Sequence, residues 1–263
     1  MIDSDQLLVE RDGGVLILTI NTPPMNRMTF EFMDEFERCV TAAAADDSVR
    51  CLLITACGEE NFSVGMDLKQ LASVAADLSR VAAVLDQRLR VLALIENMAK
   101  PSVVTMYGHC LGGGLELPLA CHFRLAAAEG ARIGLPELDL GTVPAWGGTA
   151  RLTRRVGRDR ALDMILRARK IDGPEALRIG LVHEVHPLVR LKPAARELAQ
   201  QLASMPPIAV AGVLACVVGA GESSLDAALV AERRAFLRCA GSEDQAEGLR
   251  AFIEKRKPVF RGR

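Results

Sequence analysis

Charge of one sign is not in surplus in this chain. With 32 Lys and Arg against 33 Asp and Glu, the net charge is −1 over 263 residues, so there is no electrostatic reason to expect a nucleic acid or a membrane surface as partner. No apolar stretch is long enough to span a bilayer, and no basic-plus-apolar segment follows Met1, so a cytoplasmic location is expected. Cysteine pairing is also missing. The seven cysteines are an odd number with no C-x-x-C pair, so they are expected to stay reduced as small apolar residues. Aromatic residues are scarce at 4%, and Trp146 is the sole tryptophan.

Half of the residues are apolar and a quarter charged, which excludes general disorder and leaves a core-forming globular chain. Two ligand-type pairs, His109-Cys110 and Cys121-His122, flank a glycine turn. Neighbouring residues on a strand or helix point different ways, so the four are not expected to converge, and no metal site is assigned. His183 and His186 mark the ends of a short strand, and Asn61-Phe62-Ser63 fits a glycosylation triplet by chance.

Periodicity predicts alternating elements. Apolar runs at 15–20, 51–56 and 102–106 read as strands, with short strands at 123–127 and 132–134. Helical patterns cover 67–75, 78–98 and 112–121, and Thr29 is positioned to cap a helix that runs to about Ala45. Beyond about Leu191 everything reads as helix: 191–203, a segment after Pro206-Pro207, 224–238 and 243–257, with Ser242 and Gln245 as a capping box. The class is α/β, with a boundary near 190 dividing residues 1–190 from a helical 191–263.

The most informative segment joins strand 102–106 to the helix at 112–121. Leu111-Gly112-Gly113-Gly114-Leu115-Glu116 puts glycines where a strand becomes a helix, and a helix start offers unpaired N–H donors and the positive end of the macrodipole. Such a place suits a phosphate or an oxygen gaining negative charge. The spacing fits neither G-x-G-x-x-G nor G-x-x-x-x-G-K-[ST], which argues against a dinucleotide or nucleotide. A second stretch, Asn61-Phe62-Ser63-Val64-Gly65-Met66-Asp67-Leu68-Lys69, has the same strand-to-helix character. Two such turns can supply two donors to one carbonyl oxygen.

Together with Leu135-Pro136-Glu137-Leu138-Asp139-Leu140-Gly141 and the following Thr142 to Leu152, these blocks closely resemble the signature blocks of the enoyl-CoA hydratase/isomerase (crotonase) family. The segments 171–182 and 247–260 extend the likeness over nearly the whole chain. The resemblance implies a spiral core of strand–strand–helix turns, with C-terminal helices that assemble trimers or hexamers. It implies an oxyanion hole from the backbone N–H groups of Met66 and Gly113, and acid/base roles for Glu116 and Glu137. Coenzyme A contacts are implied for the loop reaching Met28, for Val64, Asp67, Leu68 and Gly112, and, from a neighbouring subunit, for Phe252 and Lys255. Trp146 either walls the acyl pocket or anchors packing.

The reaction implied is syn addition of water to a 2-enoyl-CoA, with the thioester as substrate and no cofactor. Paired carboxylates suit it, because one activates water while the other serves the alpha carbon. Isomerase, lyase or decarboxylase chemistry on an acyl-CoA, or non-catalytic acyl-CoA binding, stand as alternatives because fold alone does not choose among them.

Overall fold

A computed structural model describes residues 5–221 and 223–263. Its centre is a six-stranded sheet. The strands β1 (Leu7–Asp12), β2 (Val15–Ile20), β3 (Cys51–Ala56), β4 (Ser102–Met106), β6 (Phe123–Ala127) and β8 (Glu184–His186) lie side by side in that order. All neighbours are parallel except β1 and β2, which form an antiparallel hairpin closed by Gly13-Gly14. The two central strands β3 and β4 are buried at every residue, as both faces of a covered parallel sheet require.

A second, smaller layer pairs β5 (His109–Leu111) with β7 (Arg132–Gly134) in parallel. Ser63 bridges to Cys110, Cys110 pairs with Ile133, and Ile133 bridges to Ile171. Each pass of the chain therefore lays one strand in the large sheet, one short segment in this second row, and then a helix. That is the expected spiral.

Helix α1 (Phe30–Ala45) starts where Thr29 accepts the Phe32 N–H at 3.0 Å, and it buries Phe32, Met33, Phe36 and Val40. Asp67 caps α2 (Leu68–Val74), and Asp77 caps α3 (Leu78–Glu96). The glycine turn opens α4 (Gly113–Ala120), all of whose residues are buried. A 3₁₀ turn (Glu137–Leu140), α5 (Gly148–Val156), α6 (Arg158–Leu166) and α7 (Gly173–Arg178) follow β7.

The boundary expected near 190 falls inside α8 (Leu188–Ala203), whose buried Leu191, Ala195 and Ala199 pack on the large sheet. The chain leaves the core after this helix. Helices α9 (Pro207–Ala220) and α10 (Leu225–Cys239) pack on each other and bury none of their residues, despite the apolar sequence of α9. The last helix, α11 (Glu243–Ile253), stops before the expected 257 because Lys255 turns left-handed at φ 54°. Ser242 accepts the Gln245 N–H as expected, while Gln245 Oε1 reaches back to the Gly241 N–H. Among the described residues no single helix is long and apolar enough to cross a membrane, and α8 and α9 meet at 109°.

Candidate active site

The two strand-to-helix turns meet. Gly65, at φ +84°, lies so close to the start of α4 that a Cβ on it would stand 2.8 Å from the Gly113 nitrogen. Gly114 is equally confined, because a Cβ there would fall 2.2 Å from the Ser63 carbonyl oxygen. Only glycine permits that approach. Ser63 Oγ ties the first turn together by donating to the Asn26 carbonyl at 2.6 Å while accepting the Gly65 N–H at 2.9 Å. Among the described residues, the N–H groups of Met66 and Gly113 have no hydrogen-bond partner. Two free donors thus stand on adjoining loops.

They open on a cleft of about 630 Å³ whose lining includes Val64, Met66, Asp67, Leu68, Gly112, Gly113, Glu116, Glu137 and Trp146. The rest of its wall is mainly apolar, from Leu71, Val81 and Leu85 of the α2–α3 segment and from Leu140, Val143 and Ala145 opposite. A larger apolar lining with a few polar groups is what small-molecule sites show. Arg27 and Lys69, exposed at its rim, were not anticipated from the sequence, although both sit within blocks that were.

Both carboxylates face this cleft. Glu116 is 2% exposed, and its Oε1 accepts N–H bonds from Trp146 at 2.7 Å and Gly148 at 2.8 Å. Burial pushes its pKa up to about 7; the Glu137 charge adds to the rise, while those two N–H groups and Arg151 oppose it. Glu137 is half-buried in the 3₁₀ turn, its pKa is also raised by burial, and its Oε2 has no hydrogen-bond partner among the described residues. Its Oε1 lies against Gly112, where a Cβ would come within 3.0 Å. Near neutral pH such a pair resists complete ionisation and keeps a proton to give.

Trp146 combines the two roles weighed for it. The indole is 4% exposed and lines the cleft, and it packs so tightly on Gly113 that a Cβ there would meet its ring at 2.5 Å. Arg151 supports this corner, with Nη1 donating to the Trp146 carbonyl at 2.9 Å and Nε to Glu96 at 2.8 Å.

One expected contact falls elsewhere. Met28 is fully buried in the core and reaches the site only through its backbone, which bonds the Gly65 carbonyl and the Asp67 N–H at 2.8 and 3.2 Å. Phe252 and Lys255, whose contact is expected on a neighbouring subunit, do not line the cleft of their own chain, and they do not share a helix face, because α11 has ended before Lys255. Phe252 is 84% exposed. Of the pairs weighed as metal ligands, His122 Nδ1 bonds Ser102 and the Cys121 thiol points to the Leu117 carbonyl, so these side chains serve local structure.

Comparison with known proteins shows which family the chain belongs to. Residues 10–263 match the family model described as Enoyl-CoA hydratase/isomerase. A probable enoyl-CoA hydratase of Bacillus subtilis is 36% identical over 95% of this chain and 96% of its own. A crotonyl-CoA hydratase of Syntrophomonas wolfei is also 36% identical, over 97% of this chain and 98% of its own. In structure, an enoyl-CoA hydratase from Bacillus anthracis superposes with a TM-score of 0.92 at 31% identity, covering 98% of this chain and all of that one, 100%.

Proposed function

The chain belongs to the enoyl-CoA hydratase/isomerase family and hydrates enoyl-CoA thioesters, and we propose that it does so with Glu116 and Glu137 across from the Met66 and Gly113 N–H groups. The observation that carries this reading is the pairing of a buried and a half-buried carboxylate with two partnerless backbone donors in one apolar cleft. The thioester oxygen accepts both N–H bonds and takes up charge as the enolate forms, with water largely excluded by the apolar wall. One carboxylate takes a proton from the attacking water, and its partner supplies the proton to the alpha carbon. In this reading both groups act on the same face of the double bond, which gives syn addition. In this reading the thioester is the substrate and no separate cofactor takes part.

The rim cations Arg27 and Lys69 suit the phosphates of coenzyme A. Phe252 and Lys255 act on a neighbouring subunit's coenzyme A. The exposed apolar residues of α9 and α10, among them Val217 at 69% and Phe236 at 65% exposed, are the surface by which copies of the chain assemble into trimers or hexamers.

The test is loss of the conjugated-thioester absorbance with crotonyl-CoA and longer 2-enoyl-CoA substrates, for wild type, Glu116→Gln, Glu137→Gln and the double variant. Each single change should cost ~10²–10⁴-fold, and the double variant should be little worse, since the two act as a unit. Wild type that ignores every 2-enoyl-CoA but converts a 3-enoyl-CoA, with Glu116 dispensable, would replace this reading with isomerisation.

A further inference from the structure

Three residues beyond the cleft-lining Leu85, on the same face of α3, lies Arg88. It is a cation 1% exposed. Its guanidinium sits by two rings, 5.5 Å from the centroid of Phe30 and 5.8 Å from that of Trp146. Nη1 donates to Gln87 Oε1, and Gln87 in turn donates to Asp34 at 2.7 Å and Glu37 at 3.0 Å on α1. The remaining edge is unsatisfied: Nε and Nη2 are both buried with no hydrogen-bond partner among the described residues.

Those two N–H groups are parallel donors, one of the edges by which a guanidinium grips a carboxylate in bidentate fashion. Leaving buried donors unpaired is unfavourable, since they give up their bonds to water without replacing them. Methionine in the same space would carry no such cost, so packing alone does not account for an arginine here. Burial lowers its pKa to about 10, against the pull of Asp34 and Glu37, and it remains a cation at neutral pH. Arg88 is not itself among the residues that line the cleft, but it stands directly behind that wall: the indole under its guanidinium also lies on Gly113 and lines the cleft.

We propose that Arg88 determines specificity, its Nε–Nη2 edge receiving a carboxylate at the far end of the acyl chain, so that the preferred substrates are enoyl-CoA thioesters of dicarboxylic acids. A methyl terminus leaves the fork empty, whereas a carboxylate completes it with two charge-assisted hydrogen bonds in a site closed to water. The proposal rests on the hydratase reading of the same cleft.

Hydration of 2-hexenoyl-CoA and of its carboxylate-ended counterpart 2-hexenedioyl-CoA tests it, with wild type, Arg88→Met and Arg88→Lys. Wild type should favour the diacid thioester. Arg88→Met should lower the ratio of kcat/KM values, diacid over methyl-ended, by about 10²-fold, chiefly through KM. Arg88→Lys, which keeps the charge without the fork, should recover only part of it. A folded Arg88→Met or Arg88→Lys variant with an unmoved ratio, or wild type that prefers the methyl-ended thioester, overturns the proposal. If wild type hydrates neither, the hydratase reading fails, and calorimetry with the saturated adipyl-CoA and hexanoyl-CoA still decides on Arg88. Tighter binding of adipyl-CoA that is lost in Arg88→Met supports the fork, and equal binding of the two refutes it.

Discussion

Glu116 Oε1 accepts the N–H of Gly148 at 2.8 Å, and a Cβ on that glycine would fall 2.8 Å from the same oxygen. Backbone at the start of α5 therefore fixes one oxygen of the carboxylate, and any side chain at 148 would press on it. Arg151 steadies that backbone through the Trp146 carbonyl.

The environment makes Glu116 a pH-dependent load on the fold. In the unfolded chain its pKa is 4.5, and in the folded protein burial raises it to about 7. Stability from this group is complete below pH 4.5 and is lost as pH rises through 7, because the unfolded chain gives up the proton first. The loss amounts to about 3 kcal/mol. Glu116→Gln keeps an acceptor for both N–H groups and does not ionise, so it should melt above wild type at pH 8 and close to it at pH 4.5. An equal difference at both pH values would show that ionisation of Glu116 does not tax the fold.

The two backbone donors should respond differently to substitution. Gly113→Pro removes the N–H outright, and loss of one such donor typically costs ~10²–10³-fold in kcat. Met66→Ala leaves its N–H in place and should keep most turnover. Gly113→Ala retains the N–H but drives a Cβ to 2.5 Å from the Trp146 ring, so its activity should also fall and be partly restored by a smaller side chain at 146. Kinetics on crotonyl-CoA, with circular dichroism as the folding control, read all of these. Activity lost as fully in Met66→Ala as in Gly113→Pro would remove Met66 from its role as a backbone donor.

Gly65 isolates the approach of the two turns from the donors themselves. Its φ of +84° is unfavourable for other residues, and a Cβ would press on the Gly113 nitrogen. Gly65→Ala should therefore separate the donors and lower kcat on crotonyl-CoA more than it raises KM, while the distant C-terminal helices stay intact. A rise in KM alone would place Gly65 in ground-state binding instead.

The central strands and the glycine turn were legible because their patterns are local: an all-apolar run for a strand covered on both faces, and glycine where backbones cross. Strand β1 was not, since Leu7–Asp12 lies at a sheet edge and mixes apolar with charged residues; the Gly13-Gly14 turn was its one clear signal. Helices α5 to α7 are short, with charged outer faces that weaken their periodicity. Met28 was assigned to the site although its side chain belongs to the core, because a loop sequence does not say which of its atoms face inward. Arg88 was unreadable for the opposite reason. Nothing in α3's sequence marks one arginine as buried, and only the packing of Phe30 and Trp146 against it does so.

The C-terminal helices supply the last expectation. Helix α9 is apolar along its length yet buries nothing in a single chain, and α10 adds Leu229, Val230, Phe236 and Leu237, each at least half exposed. A surface of that kind is stable in water only when covered. Sedimentation should give a mass near three or six times 28.3 kDa, and Val217→Glu with Phe236→Glu should shift it toward the monomer. Because Phe252 and Lys255 lie outside the cleft of their own chain, dissociation should also raise KM for acyl-CoA, and Lys255→Ala should raise it without changing the mass. A wild-type chain that sediments as a monomer would return both helices and Phe252 to the role of surface without a partner.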